Sequence, residues 1–298
     1  MTSSLSYLQE GTIMAATREL LTDLLRPDRI TSVVDIGANP IDGTPPYKLM
    51  LEKRLCWLIG FEPQLDALAE LNSRKSDLET YLPYAISDGK EHILRICSIP
   101  GMTSLLEPDQ NALGYFPMFS EWGRVVREQA IMTRRLDDIE EIDAVDFLKM
   151  DVQGSELSVL QNGKGRLAKT VVVQAEVSFI PIYKNQPVFG AIDLELRKLG
   201  LVPHAFAAVN QRMIAPMRAN DVYAALNQLV EADIVYVRDF TKPDAMDVEQ
   251  MKHLAIIAHH CYRSYDLAMN CIYHLVKRGA IQQNAINEYS NLIRSGGP

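Results

Sequence analysis

The chain has 298 residues with 30 Lys+Arg against 38 Asp+Glu, so its formal charge is 30 − 38 = −8. Hydrophobic residues at 47% and charged residues at 23% provide enough apolar surface to offset the ordering entropy of a globular fold, which excludes a disordered chain. The acidic balance argues against a general nucleic-acid binder, which needs a basic face to displace counterions.

In chain order, Ile13, Ala16, Leu20, Leu21, Leu24 and Leu25 recur at helical spacing and Pro27 ends the pattern, so residues 1–31 read as a polar lead-in and an amphipathic helix. Ser32 to Gly37 is a β-branched strand closed by glycine. A turn-rich loop from Asn39 to Pro46 and a helical stretch from Tyr47 to Arg54 lead to a second strand, Trp57 to Pro63. Leu65 to Lys75 reads as helix. Thr80–Ile86 and His92–Cys97 read as strands around a Ser87-Asp88-Gly89 turn. Residues 100–130 carry Gly101, Pro108, Gly114, Pro117 and Gly123 among Tyr115, Phe116, Phe119 and Trp122, and read as an irregular insertion, a lid or substrate wall.

Val145 to Val152 is a buried strand, Gly154 to Leu167 a helix, Thr170 to Val177 a strand, and Phe189 to Leu199 a helix ended by Gly200. Val202–Val209 and Asp233–Val237 fit a final antiparallel pair. Val248 to Lys277, with a break, and Ala280 to Ile293 are helices. Strands alternating with helices predict an α/β, doubly wound, mostly parallel sheet covered on both faces. The expected organisation is a helical lead-in (1–31), a main domain (32–240) and a C-terminal helical extension (241–298). Leu254, Ile257, Leu267, Ile272, Leu275 and Val276 of that extension would pack on the core or on a second copy, which allows a homo-oligomer.

Cys56, Cys97, Cys261 and Cys271 include no C-x-x-C pair, so neither a zinc site nor a disulfide framework is indicated, and free thiols in a reducing cytosol are expected. No apolar run reaches the ~18 residues of a membrane span. Met1 to Glu10 lacks a signal-peptide h-region, so the cytoplasm is the expected location. His259, His260 and Cys261 are consecutive helical residues about 100° apart, and His253 and His260 are two turns apart, so no metal site is expected there.

In an open parallel sheet, ligands bind outside the carboxyl ends of the strands, where strand order reverses. Asp35 and Gly37 end the first strand, Glu62 the second, Ala85-Ile86-Ser87-Asp88 the third, Asp151 the fourth and Glu176 the fifth. Gly37 permits a tight turn and close approach of backbone to a ligand. A carboxylate at the second strand end suits both hydroxyls of a ribose. The G-x-G-x-x-G loop that cradles a pyrophosphate is missing, which disfavours a nicotinamide dehydrogenase. Crowded carboxylates repel pyrophosphate and suit a cationic nucleoside, and S-adenosylmethionine fits.

Val33-Val34-Asp35-Ile36-Gly37-Ala38-Asn39, Phe61-Glu62-Pro63, Leu136-Asp137-Asp138, Leu148-Lys149-Met150-Asp151-Val152-Gln153-Gly154-Ser155-Glu156 and then Glu176, in this order, resemble the FkbM-type S-adenosylmethionine-dependent methyltransferases over roughly residues 32–240. The resemblance implies a seven-stranded, Rossmann-like methyltransferase sheet with its last strand antiparallel. It also implies methyl transfer to an oxygen of a sugar, polyketide or related small metabolite, with S-adenosylhomocysteine as product.

By the same resemblance Asp35, Gly37, Ala38 and Asn39 hold the methionine end, Glu62 and Pro63 the ribose, and Ala85, Ile86 and Ser87 the adenine. Asp151 lies near the methyl group, and Ser104 at the mouth of the site beside the acceptor. Gln153 departs from the family, which commonly has an acidic residue there. A hydroxyl acceptor gains from a base, for which Asp151, then Glu176, then His204 are the candidates. The competing reading, a non-catalytic scaffold that keeps the fold, has no need of Asp35, Gly37 and Glu62.

Overall fold

In a computed structural model, which describes residues 21–39 and 43–296, the β-branched runs form strands and the 3.6-residue patterns between them form helices. The elements in chain order are β1 (Thr31–Ile36), α1 (Lys48–Glu52), β2 (Cys56–Phe61), α2 (Leu65–Arg74), β3 (Glu79–Leu82), β4 (Ala85–Ile86) and β5 (Glu91–Cys97). There follow α3 (Gln110–Leu113), α4 (Phe119–Trp122), β6 (Val125–Arg134), β7 (Phe147–Met150), α5 (Glu156–Gln161), β8 (Val172–Ser178) and α6 (Phe189–Lys198). The last are β9 (Leu201–Arg212), β10 (Gln228–Arg238), α7 (Val248–Tyr262), α8 (Tyr265–Lys277) and α9 (Ala285–Gly296). Residues 21–25 are helical, and the part of the expected lead-in helix over residues 1–20 lies outside the described residues.

Seven strands form one sheet in the order β3-β2-β1-β7-β8-β10-β9. β1 is parallel to β7, β7 to β8 and β2 to β3, while β10 is antiparallel to β8. The chain travels outward from β1 to β3 and returns on the other side of β1, so strand order reverses between β1 and β7 and a crevice opens at their carboxyl ends. The central strands are apolar on both faces because helices or loops cover both. Val34 and Ile36 of β1, Leu148 and Met150 of β7, and Val173, Ala175 and Val177 of β8 pack with Ile192 and Leu196 of α6 in one core.

The sheet departs from the sequence expectation at three places. The strand expected over Thr80–Ile86 is divided at Pro83, which cannot donate to a ladder. Its first part, β3, stays in the large sheet, while Ala85 and Ile86 pair with Thr133 and Arg134 of β6 in a second, three-stranded sheet ordered β4-β6-β5. The insertion expected to be irregular to residue 130 ends earlier, because β6 pairs antiparallel with β5 from Met132 opposite Glu91 to Val125 opposite Cys97. Most of β6 faces solvent, so its sequence has no apolar alternation to reveal it. The helix expected to run to Leu167 stops at Gln161, and Arg166–Lys169 form a separate 3-10 turn. Gly163 lies between them, packed so closely on Leu136 that a Cβ would come 2.8 Å from its Cδ2.

The chain divides into two units. One comprises Val33–Thr44 and Leu58–Val237 and contains the ladders just described. The other comprises the described residues of Met1–Ser32 with Pro45–Trp57 and Arg238–Pro298, so 45–57, expected within the main domain, packs with the terminal helices. Within it α7 opens on a capping box formed by Asp247 and Gln250, and it ends at Arg263, whose left-handed conformation (φ 52°) makes the expected break before α8. The last helix begins at Ala285 rather than Ala280, after a turn at Gly279 (φ 67°).

The buried histidines of α7 hold structural bonds: His253 Nδ1 lies 3.1 Å from Thr31 Oγ1 and His259 Nδ1 lies 3.0 Å from Tyr289 Oη. Among the described residues, no helix is long and apolar enough to cross a membrane.

Burial lowers the His259 imidazole from 6.5 to about 4, with Lys53 adding to the shift. As pH falls from 6.5 to about 4 the unfolded chain takes up a proton that the folded chain refuses. Stability is therefore lost across that window, by up to about 3 kcal/mol. H259Q does not titrate and keeps a polar partner for Tyr289. In urea unfolding at pH 7 and pH 4.5 its acid loss should be smaller than that of the parent by at least ~1 kcal/mol.

Candidate active site

Main-chain hydrogen bonds draw three strand tips together. The Phe61 carbonyl accepts both the Gly37 N–H (3.0 Å) and the Ala38 N–H (3.1 Å), and the Ile36 carbonyl accepts the Asp151 N–H (3.0 Å). Gly37 adopts φ 83°, and a Cβ on it would run into the Asp151 carbonyl oxygen. Only glycine satisfies both the left-handed backbone and the close approach of the next strand.

The crevice so formed takes in about 720 Å³ of space, open solvent at its mouth included. One side is Gly37 and Asn39, and the floor is Asp151, Val152, Gln153 and Ser155. The far end is Glu62, Pro63, Tyr84, Ala85, Ile86 and Leu94, and the facing wall is Pro100, Gly101, Thr103, Ser104 and Leu105.

Of the sequence-predicted site residues, Gly37, Asn39, Glu62, Pro63, Ala85, Ile86, Ser104 and Asp151 line this crevice. Glu62 is 2% exposed, and its Oε1 accepts the Gln64 N–H at 2.7 Å. Burial raises its carboxyl above the ordinary range and nearby Asp35 adds to this, while the bonds from Gln64 oppose it. Tyr84, on the crevice lining with Glu62, stacks on Phe61 and carries Arg134 over its ring at 3.8 Å.

Other predicted residues do not line the crevice. Asp35 is buried behind it, 3.5 Å from Lys149 Nζ, its register partner on β7. Ala38 is buried under Gly60. Ser87 turns away, its hydroxyl 2.9 Å from Ser158 Oγ. His204 is on β9, the outer edge strand. Three strand spacings separate β9 from β7, roughly 14 Å, so the sheet order removes His204 from the candidate bases. Ser104 reaches the crevice, but its hydroxyl already donates to the Gln153 carbonyl (2.6 Å) and accepts the Leu106 N–H (2.9 Å).

Asp151, Glu156 and Glu176 each offer an oxygen within 4.8 Å of the others. The Glu156 carboxylate accepts the Val152 and Gly154 N–H groups at 3.0 and 3.1 Å, holding the 151–154 turn. Burial is the main cause that lifts Glu156 to about 7. Glu176 is lifted well above the carboxylate range, by burial first and then by Asp151, Glu231, Glu156 and Asp233. Sequence reasoning missed Tyr183 and treated Gln153 only as a lost charge. Gln153 Nε2 donates to Asp151 Oδ1 (2.9 Å) and Glu176 Oε2 (2.7 Å), and its Oε1 accepts the Tyr183 hydroxyl (2.9 Å). The positive φ of Gln153, 51°, is the structural trace of this arrangement and has no sequence signal.

A profile described as the methyltransferase FkbM domain matches residues 35–202, more than half the chain. The chain belongs to the FkbM methyltransferase family. It is similar to the 2-O-methyltransferase NoeI of Sinorhizobium fredii (strain NBRC 101917 / NGR234), 28% identical over 193 residues that cover 59% of this chain and 75% of that protein. Among solved structures it is similar to magnesium protoporphyrin IX methyltransferase (ChlM) from Synechocystis PCC 6803 with bound SAM, at 9% identity, TM-score 0.37, covering 78% of this chain and 80% of that one. It is also similar to precorrin-6y C5,15-methyltransferase from Geobacter metallireducens GS-15, at 12% identity, TM-score 0.32, covering 74% and 88%.

This FkbM-type methyltransferase uses S-adenosylmethionine as methyl donor. The crevice lining suits the donor's chemistry: it has a buried carboxylate, apolar side chains and a glycine tip that lets the main chain approach a ligand.

Gly37→Ala should cost about 1–3 kcal/mol of stability and abolish donor binding, checked by thermal melts and by calorimetry with S-adenosylhomocysteine. Glu156→Gln keeps an acceptor for the two N–H groups and should melt close to the parent, whereas Glu156→Ala leaves both unpaired and should lose about 1–3 kcal/mol.

Proposed function

We propose that this methyltransferase methylates a hydroxyl of a small metabolite, a sugar or polyketide-like acceptor, with Asp151 as the base. The single observation that carries the reading is the setting of Asp151. It lines the same crevice as Glu62, its Oδ1 accepts the Gln153 amide, and its Oδ2 accepts no bond among the described residues. The name of the Sinorhizobium relative, a 2-O-methyltransferase, supports an oxygen acceptor. Four free thiols suit a reducing compartment and so the cytoplasm.

Bound S-adenosylmethionine supplies an electrophilic methyl carbon on a sulfonium. Glu62 accepts bonds from the ribose hydroxyls, while Tyr84, Ala85, Ile86 and Leu94 exclude water around the adenine. Gly37 and Asn39 hold the amino-acid portion. The 100–105 wall and Asp151 fix the acceptor oxygen in line with the carbon–sulfur bond, and such alignment supplies ~7–11 kcal/mol of the barrier reduction. Asp151 Oδ2 takes the hydroxyl proton as the oxygen–carbon bond forms and the carbon–sulfur bond breaks. Glu176, tied to the same amide, is the second candidate for that proton.

Calorimetry with S-adenosylhomocysteine should give saturable binding that weakens at least about tenfold in Glu62→Ala, about 1.4 kcal/mol. With sugar alcohols, phenols and primary amines offered as acceptors, release of S-adenosylhomocysteine should appear with hydroxyl compounds. It should fall by about 10²–10⁴ in Asp151→Asn at unchanged product affinity. Turnover confined to amines, or full turnover by Asp151→Asn, overturns the reading.

A further inference from the structure

We propose that Gln153 is a positioning residue for methyl transfer: its side-chain amide holds the Asp151 and Glu176 carboxylates side by side and is itself held by the buried Tyr183 hydroxyl. The inference rests on the reading that Asp151 takes the acceptor's proton.

The hydrogen-bond inventory fits an amide and no other side chain of this length. The two hydrogens of Nε2 meet two carboxyl oxygens, Asp151 Oδ1 at 2.9 Å and Glu176 Oε2 at 2.7 Å. A carboxylate only accepts, so the ionised pair calls for the N–H end of an amide. Oε1, on the other side, accepts from the Tyr183 hydroxyl, which also lies 3.1 Å from the Met102 carbonyl. Tyr183 is 1% exposed, so its hydroxyl is anchored by these protein groups rather than by solvent. The Gln153 carbonyl accepts the Ser104 hydroxyl at 2.6 Å, so the main chain of the same residue is tied to the 100–105 segment.

A left-handed backbone at a residue other than glycine costs energy, and such positions persist where the surroundings over-determine them. Here Gly154 (φ 102°) follows directly and completes the turn.

Electrostatics gives the arrangement its consequence. Asp151 and Glu176 face Glu156 of α5 and Glu231 and Asp233 of β10. Lys149 and Arg212 moderate Asp233 and Glu231, and Tyr183 and Cys97 complete the titratable surroundings. So many like charges drive a proton onto one carboxylate, and a proton shared there occupies the base. Two amide donors favour the state in which both carboxylates are ionised. A glutamate at 153 would add a charge and remove both donors.

The test uses the full-length chain, saturated with S-adenosylhomocysteine for the titration and with S-adenosylmethionine for turnover. Asn tolerates a left-handed backbone and keeps the amide, but Gln153→Asn is one methylene short of bridging the pair. Gln153→Glu keeps the reach and loses the donors. The readouts are the carboxyl titration of Glu176 by carbon-13 NMR, assigned with Glu176→Gln, and the pH profile of turnover with a hydroxyl acceptor.

Product affinity should stay within threefold of the parent in both variants. The Glu176 midpoint should rise by about one pH unit in Gln153→Asn and further in Gln153→Glu. The acid limb of kcat should move with it, with kcat falling more than KM changes. An unchanged midpoint and pH profile in Gln153→Asn overturns the proposal. If the midpoint rises as expected while Asp151→Asn keeps full turnover, the bridge stands and the base assignment falls.

Discussion

Much of this protein follows from the absence of one methyl group. At Gly37 the first strand turns with a positive φ, and the Asp151 carbonyl oxygen occupies the space a side chain would take. That contact, with the Ile36 and Phe61 carbonyls each accepting an N–H from a neighbouring tip, closes the switch point of the sheet into a main-chain cradle. Glu62 and Asp151 then reach the same crevice from β2 and β7 without long or flexible side chains. The precision of the site comes from the rigidity of buried parallel strands rather than from loops.

Electrostatically the site is unusual for its surplus of acid. Within the unit that holds it, Lys149 lies 3.5 Å from Asp35, and the Asp151 and Glu176 carboxyls are bridged by a neutral amide. An amide satisfies hydrogen bonds without bringing a positive charge to the acids. This suits a cationic donor on arrival, and suits it less once the methyl group has gone and the sulfur is neutral.

The sequence announces the sheet where burial is two-sided. β1, β7 and β8 are runs of Val, Ile, Leu and Met whose ends carry a glycine or an acid, and their boundaries fell within a few residues of expectation. It does not announce β6, because a strand exposed along most of its length needs no apolar period. The site was legible to the same degree. Residues that line the crevice from strand tips, such as Gly37, Glu62 and Asp151, could be placed from local pattern and family resemblance. Asp35 lies one residue before the tip and points behind the crevice, a difference of side that a motif cannot express. Tyr183 belongs to a loop after β8, and its meeting with Gln153 and Met102 depends on three loops folding over one another, for which no short-range signal exists. His204 looked eligible only while the strand order was unknown.

The three-stranded sheet has a mechanical meaning. Ala85 and Ile86, which line the crevice, pair with β6, β6 pairs with β5, and Arg95 of β5 exchanges two backbone bonds with Ser104, which lines it too. Two parts of the cleft lining are thus rungs of a single ladder. Both lining segments therefore share the hydrogen bonds of β6, as one ribbon instead of two independent flaps.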